Sequence, residues 1–368
     1  MKILFWYCLI LGLCLPYCGI CQESSNETVQ IDTLDYNRVT FIAVPLLFYL
    51  PETNLGFGGA SNLSLHWKYQ DRSERPTQFT IGAAYTLNKQ LLTYMAYNIY
   101  LPQEIIWFRG ELGYYDYVYP YFGMGQNRAE ENANFFSNYP RLNLDILYQI
   151  GDDIFVGLSY SFDDYEITDI DDSENLFGGI DLSGGITSGI GIAAVIDTRD
   201  VINYPKNGML LDFVLQNNTD LVGATYDYYS FVTSVSKYLP IRSNVLAVNF
   251  NSINIFGDAP FYEMALYGGG KRSRGYVEGE YRASNSFALQ AEYRFRFTKK
   301  LSRFGAVVFA SAGQVFDRVD ELSLSNSLPA VGGGIRFLLS REQNLNLRAD
   351  IGIGKNGTQF YVTFGEAF

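Results

Sequence analysis

Thr358-Gln-Phe-Tyr-Val-Thr-Phe-Gly-Glu-Ala-Phe368 decides how this sequence folds. Phe360, Val362, Phe364 and Phe368 recur at strand spacing and are expected on one face. A soluble protein avoids ending on an exposed apolar strand, because a free hydrophobic edge pairs with other chains. A membrane barrel accommodates one: the strand closes the sheet, and its apolar face meets lipid.

The same alternation recurs upstream. From Asn344 to Gly354 the odd positions are Leu345, Leu347, Ala349, Ile351 and Ile353, and the even ones include Asn346, Arg348 and Asp350. From Phe287 to Phe297 the odd positions are apolar or aromatic, whereas Gln290, Glu292, Arg294 and Arg296 share the other face. Period two with one apolar face reads as a strand between lipid and lumen. Soluble sandwich strands average about five or six residues, while a tilted membrane strand needs about 9–11. Sixteen segments follow this pattern: 42–50, 55–69, 77–87, 90–100, 105–118, 138–150, 153–165, 186–198, 208–219, 225–239, 243–257, 285–297, 304–316, 328–339, 344–354 and 358–368. An even count returns both ends to the periplasmic side. Short turns such as Gly151-Asp-Asp153 and Ser340-Arg-Glu-Gln343 fall on that side, and the long connections 119–137, 166–185 and 258–284 fall on the other. The predicted fold is all-β, a 16-stranded antiparallel transmembrane β-barrel.

Composition agrees. The 29 tyrosines suit the aromatic girdles at the two membrane interfaces. With 27 Lys+Arg against 39 Asp+Glu, no basic patch for nucleic acid is expected. Residues 1–21 read as a signal peptide: Lys2, an apolar stretch from Ile3 to Pro16, then Gly19 and Cys21 before a cut. Acylation at Cys18 or Cys21 is the alternative, on poor lipobox matches. All four cysteines (Cys8, Cys14, Cys18, Cys21) lie there, so the mature chain is expected to lack disulfides and thiolate-bound metal. Residues 22–38 read as a short periplasmic tail and 39–368 as the barrel.

The connection 258–284 holds Gly268-Gly-Gly-Lys-Arg-Ser-Arg-Gly-Tyr-Val-Glu-Gly-Glu-Tyr-Arg282. Arg274, Gly275 and Tyr276 put a cation and an aromatic about a flexible pivot. Glu292 faces the lumen by parity, so an inward-folded sixth loop would bring Arg274 onto it as a desolvated pair.

Arg274-Gly275-Tyr276 in a sixth outer loop resembles the signature of the bacterial surface antigen family, which includes the outer-membrane barrel-assembly insertase and the two-partner secretion translocators. Val44-Pro-Leu-Leu-Phe-Tyr-Leu-Pro-Glu-Thr-Asn-Leu-Gly-Phe-Gly58 is similar to its first hairpin. Asp197-Thr-Arg-Asp200 with Tyr204-Pro-Lys-Asn-Gly208 is similar to its turn after strand eight. The closing segment, with Val362, Phe364, Gly365 and Phe368, resembles its C-terminal assembly signal. The resemblance implies an Asp facing the loop arginine from strand thirteen, where this sequence has Ser311, so Glu292 is expected to be the main partner. It also implies periplasmic polypeptide-binding domains, for which residues 22–38 are too few, leaving client capture by an attached domain unsupported.

His66, the sole histidine, has no marked acid or serine partner and is expected at an interface rather than in a hydrolase site. The acidic stretch Asp163, Asp164, Glu166, Asp169, Asp171, Asp172 and Glu174 lacks the glycine and terminal glutamate of a calcium loop, and surface charge is expected. No enzyme, cofactor or metal is expected. The resemblance implies a bacterial outer-membrane protein acting in membrane protein assembly or translocation with periplasmic or lipoprotein partners. The alternative is a passive channel or a structural barrel holding a surface-exposed partner.

Overall fold

The computed structural model describes residues 39–50, 54–67, 74–87, 89–172, 175–297, 302–341 and 343–368. The leader, the tail and Glu174 lie outside the described residues. The strands are β1 (Val39–Leu50), β2 (Asn54–Leu65), β3 (Thr77–Thr86), β4 (Leu91–Tyr100), β5 (Ile106–Tyr121), β6 (Ala133–Gly151), β7 (Ile154–Asp171), β8 (Gly185–Asp197), β9 (Gly208–Asn218), β10 (Tyr228–Ile241), β11 (Asn244–Gly257), β12 (Ala265–Tyr267), β13 (Tyr281–Ala283), β14 (Asn285–Arg296), β15 (Phe304–Phe316), β16 (Ala330–Ser340), β17 (Leu345–Gly354) and β18 (Gly357–Phe364). Sixteen form one antiparallel sheet in chain order, with β1 and β18 at its two ends. β12 and β13 make a separate two-stranded ribbon inside the 258–284 loop.

Alternation sets which face meets lipid. Leu158, Ile192, Leu289, Val308, Ile335 and Ile353 are exposed apolar residues on the outer face, while Ser159, Gln290, Glu292 and Asp350 are buried inside. Burying the polar face is tolerable because those groups pair with adjacent strands and with the loop between β11 and β14. No described helix is long and apolar enough to cross a membrane.

Two boundaries depart from the sequence reading. β5, β6 and β7 run for 16, 19 and 18 residues. They exceed the ~10 residues needed for a crossing, so at ~3.3 Å per residue they carry ~20–30 Å of further strand on the outer side. The outward face of β7 shows why: it is apolar through Ile154, Val156, Leu158 and Phe162, then turns acidic at Asp164 and Glu166 while the ladder continues.

The second departure is the closing segment. β18 stops at Phe364, and Gly365, at φ +74°, turns the chain inward. Phe360 and Val362 face outward as expected, but Phe368 does not share their face. It packs inside against Tyr204, Tyr238, Val245 and Ala247. Glycine reaches this left-handed conformation at little cost, and the turn breaks period two.

Candidate functional site: the locked sixth loop

Loop 258–284 folds into the barrel. Gly268 and Gly269 adopt positive φ (104° and 87°), and a single helical turn, Gly269–Arg272, delivers Ser273 and Arg274 to the wall. Arg274 is fully buried. Its Nη2 donates to Glu292 Oε2 at 2.6 Å and its Nη1 to Asp350 Oδ2 at 2.8 Å. Its guanidinium lies 3.7 Å from the centroid of the Phe309 ring, a desolvated cation–π contact.

The pivot meets β17 backbone to backbone. A Cβ on Gly352 would lie 2.6 Å from the Arg274 carbonyl carbon, and one on Gly354 would lie 2.6 Å from the Gly275 oxygen. The Gly275 N–H donates to the Tyr361 hydroxyl at 3.1 Å, and that hydroxyl donates to the Tyr276 carbonyl at 2.8 Å. Tyr276 donates to the Pro329 carbonyl at 2.7 Å and accepts from the Lys355 N–H at 3.1 Å. Each element of the Arg-Gly-Tyr motif therefore contacts a strand or loop across the lumen.

Glu292 meets Arg274 as expected. The expectation that it is the main carboxylate partner is corrected, because Asp350 of β17 is a second one. Ser311 does not touch the guanidinium; its hydroxyl shares a 3.0 Å hydrogen bond with Ser273. Asp350 was visible as an inward-facing position of its segment. Its convergence on Arg274 was not, because that depends on how the lumen curves.

The pair belongs to a larger network. Glu292 Oε1 accepts from Arg294 Nε at 2.5 Å. Asp350 accepts from Arg336 at 2.5 Å and from Arg348 at 3.3 Å. Arg336 also reaches Glu366 at 2.6 Å. Four guanidiniums thus share three carboxylates. The surplus donors find main-chain oxygens: Arg348 that of Gly270 at 2.9 Å, and Arg294 that of Phe368 at 2.7 Å.

At the periplasmic end the Asp197–Gly208 turn straps the mouth. Arg199 grips the Asp197 carboxylate at 2.7 and 2.8 Å, and Asp200 accepts the backbone N–H groups of Lys206 (2.8 Å) and Asn207 (3.2 Å). Arg75 joins three turns at once, bonding Glu104, Asp153 (3.1 Å) and the Asp197 carbonyl. The Tyr204 ring lies 4.1 Å from the Arg296 guanidinium. A cavity of about 440 Å³ opens here, bordered by Thr40, Arg75, Asp153 and Gln343. His66 borders it too, so it faces inward rather than toward the outer girdle. Near the periplasmic ends of their strands, Arg109 of β5 reaches Asp212 of β9 (Nη2 to Oδ1, 2.8 Å) while its Nε holds Asp145 at 2.7 Å.

The acidic stretch divides. Asp163 points inward onto Arg141 at 2.8 Å, and Asp172 caps the N–H groups of Leu176 and Phe177. Asp164 and Glu166 are exposed on the outer face of β7.

Fold and site define a class: a sixteen-stranded outer-membrane-type barrel whose sixth outer loop is pinned inside by a buried arginine. The model of the Omp85 superfamily domain matches residues 57–368, and the chain belongs to that superfamily of outer-membrane barrels. No curated protein sequence matches it. Among solved structures it is similar to BamA from Haemophilus ducreyi lacking POTRA domains 1–3, at 12% identity and a TM-score of 0.56, covering 90% of this chain and 70% of that one. It is also similar to CdiB from Acinetobacter baumannii, at 13% identity and a TM-score of 0.54, covering 89% of this chain and 60% of that one. At these identities the likeness is one of fold.

Proposed function

We propose that this barrel acts in the assembly or translocation of outer-membrane proteins, as a subunit that works with periplasmic or lipoprotein partners. The observation that carries the reading is the Arg274 lock, which fixes loop 6 against β14 and β17 and leaves β1 and β18 as the ends of the sheet. A barrel that only conducts solutes needs a free lumen. Here Arg109–Asp212 bridges β5 to β9, and Arg75 ties three periplasmic turns together, which weighs against the passive channel. The strap Asp197–Gly208 and the neighbouring turns tied by Arg75 meet at the periplasmic mouth, where partner proteins would dock.

Depletion of the protein in its native cells tests this. The expected outcome is a fall in the folded, heat-modifiable fraction of other outer-membrane barrels, with affinity-purified membranes yielding a stoichiometric periplasmic or lipoprotein partner. Unchanged barrel levels after full depletion would reject the assembly role.

A further inference from the structure

The outer extension of β5–β7 is capped by loop 4, which joins β7 to β8, and by loop 6. Phe177 of loop 4 stacks on Tyr121 at 4.3 Å, and Phe261 of loop 6 meets Phe135 at 5.0 Å and Phe177 at 5.5 Å. Tyr262 packs on Tyr165 at 4.3 Å. The next residue, Glu263, closes the short helical turn Phe261–Glu263 and carries a carboxylate into this aromatic cap.

The cations around it are bound elsewhere. From β5 come Glu111 and Tyr115, from β6 Tyr139 and Arg141, and from β7 Asp163 and Tyr165. β10 contributes Tyr228, the connection before it Tyr226, loop 4 Asp181, and loop 6 itself Tyr262 and Arg282. Arg141 is committed: it grips Asp163 at 3.0 and 2.8 Å and approaches Glu111 at 3.9 Å. Arg282 donates to the Phe261 carbonyl at 3.2 Å. Among the described residues Glu263 joins no ion pair. The Tyr228 hydroxyl, 3.4 Å from Oε2, and Tyr165 are the donors that face it. Three acids therefore crowd one guanidinium.

We propose that Glu263 is a pH-operated latch on the outer face: neutral, it lets loops 4 and 6 seat on the β5–β7 extension; ionised, it is repelled by Asp163 and releases the cap. Desolvation, followed by the neighbouring Asp163 charge, pushes the Glu263 carboxyl up to about 7 in the seated state. With the cap open and the group solvated, its ordinary value near 4.5 applies. The closed form binds the proton more tightly, so its advantage is complete below pH 4.5. It erodes as pH rises and is fully lost above about 7. At a factor of ten per pH unit of difference, the open-to-closed ratio rises by up to roughly 300-fold.

The test uses the full chain in lipid nanodiscs, with Cys8, Cys14, Cys18 and Cys21 changed to Ser and a nitroxide on Asp258→Cys, at the exposed start of loop 6. The mobile-to-immobile spectral ratio is read from pH 4.5 to pH 9. The ratio is expected to rise at least tenfold over that range, and Glu263→Gln is expected to hold it low and flat. Tyr228→Phe removes a donor to the ionised form and moves the midpoint to higher pH. A wild-type ratio indifferent to pH, or a Glu263→Gln ratio that still rises, overturns the latch. Should Glu263→Gln not assemble, the Tyr228→Phe midpoint decides: an upward shift supports the latch and an unmoved midpoint rejects it.

Discussion

Removing Arg274 and removing Glu292 look like two ways of breaking one ion pair, but the network makes them unequal. Breaking a buried pair typically costs about 3–5 kcal/mol, because the surviving charge is stranded. Arg274→Ala strands little. Glu292 keeps Arg294 at 2.5 Å, and Asp350 keeps Arg336 and Arg348. The local count moves from four guanidiniums on three carboxylates to three on three. The cost is then set by two lost charge-assisted bonds and the Phe309 contact, at the low end of the range, about 3 kcal/mol.

Glu292→Gln does more harm. Arg274 retains Asp350, but Arg294 loses the one side-chain carboxylate to which it is bridged among the described residues. Four guanidiniums would then face Asp350 and Glu366, and the expected cost is about 4–5 kcal/mol. The double variant should fall about 2 kcal/mol short of the sum, since the Arg274–Glu292 bond is counted in both singles. Urea unfolding in lipid vesicles, followed by heat-modifiable gel migration, measures all three. Strict additivity, or Arg274→Ala costing more than Glu292→Gln, would refute the shared-network account.

Gly352→Ala puts a Cβ 2.6 Å from the Arg274 carbonyl carbon, so loop 6 should unseat; protease cleavage near 268–276 in outside-facing vesicles would report it. Ser273→Cys with Ser311→Cys, whose hydroxyl oxygens lie 3.0 Å apart, should oxidise readily to a tether between loop 6 and β15, and the yield should drop in an Arg274→Ala background. Glu366→Ala removes the acceptor of Arg336 (2.6 Å) and Asn346 (2.7 Å) and should lower stability by about 2 kcal/mol; no loss would mean that the inward-turned end is not anchored.

The sixteen crossings were legible because period two is a local property, and lipid enforces it along every strand. The pinned loop was legible in part. Arg274 and Glu292 met as parity required, and the Gly275 pivot marked the bend. What the sequence hid depends on distant elements or on a break in the period. Asp350 and Ser311 both face the lumen, and only the curvature of the wall decides which one the guanidinium reaches. Phe368 has the parity of Phe364, but Gly365 at φ +74° ends the strand between them. The tips of β5–β7 lost the lipid signature at Asp164 while keeping their hydrogen bonds, so a reading based on lipid shortened them.

The network also predicts communication between the two sides of the membrane. Glu292 holds Arg274 of the outer loop on one oxygen and Arg294 on the other. Arg294 in turn donates to the Phe368 main-chain oxygen at 2.7 Å and the Pro205 carbonyl at 3.5 Å, and its guanidinium lies 5.7 Å from the Tyr204 ring of the periplasmic strap. One carboxylate and one guanidinium therefore link loop 6, the strap and the inward-turned end. Coupling requires that a change at one end alter the energetics at the other, which a double-mutant cycle reads directly. Tyr204→Ala, which touches neither Arg274 nor loop 6 in any described contact, should change the cost of Arg274→Ala by about 0.5–2 kcal/mol. With Glu292→Gln in the background the route through Arg294 is cut, and the coupling should shrink to what Asp350, Arg336 and Glu366 still carry. A Tyr204–Arg274 coupling undiminished by Glu292→Gln would mean that the signal does not pass through the Glu292–Arg294 pair.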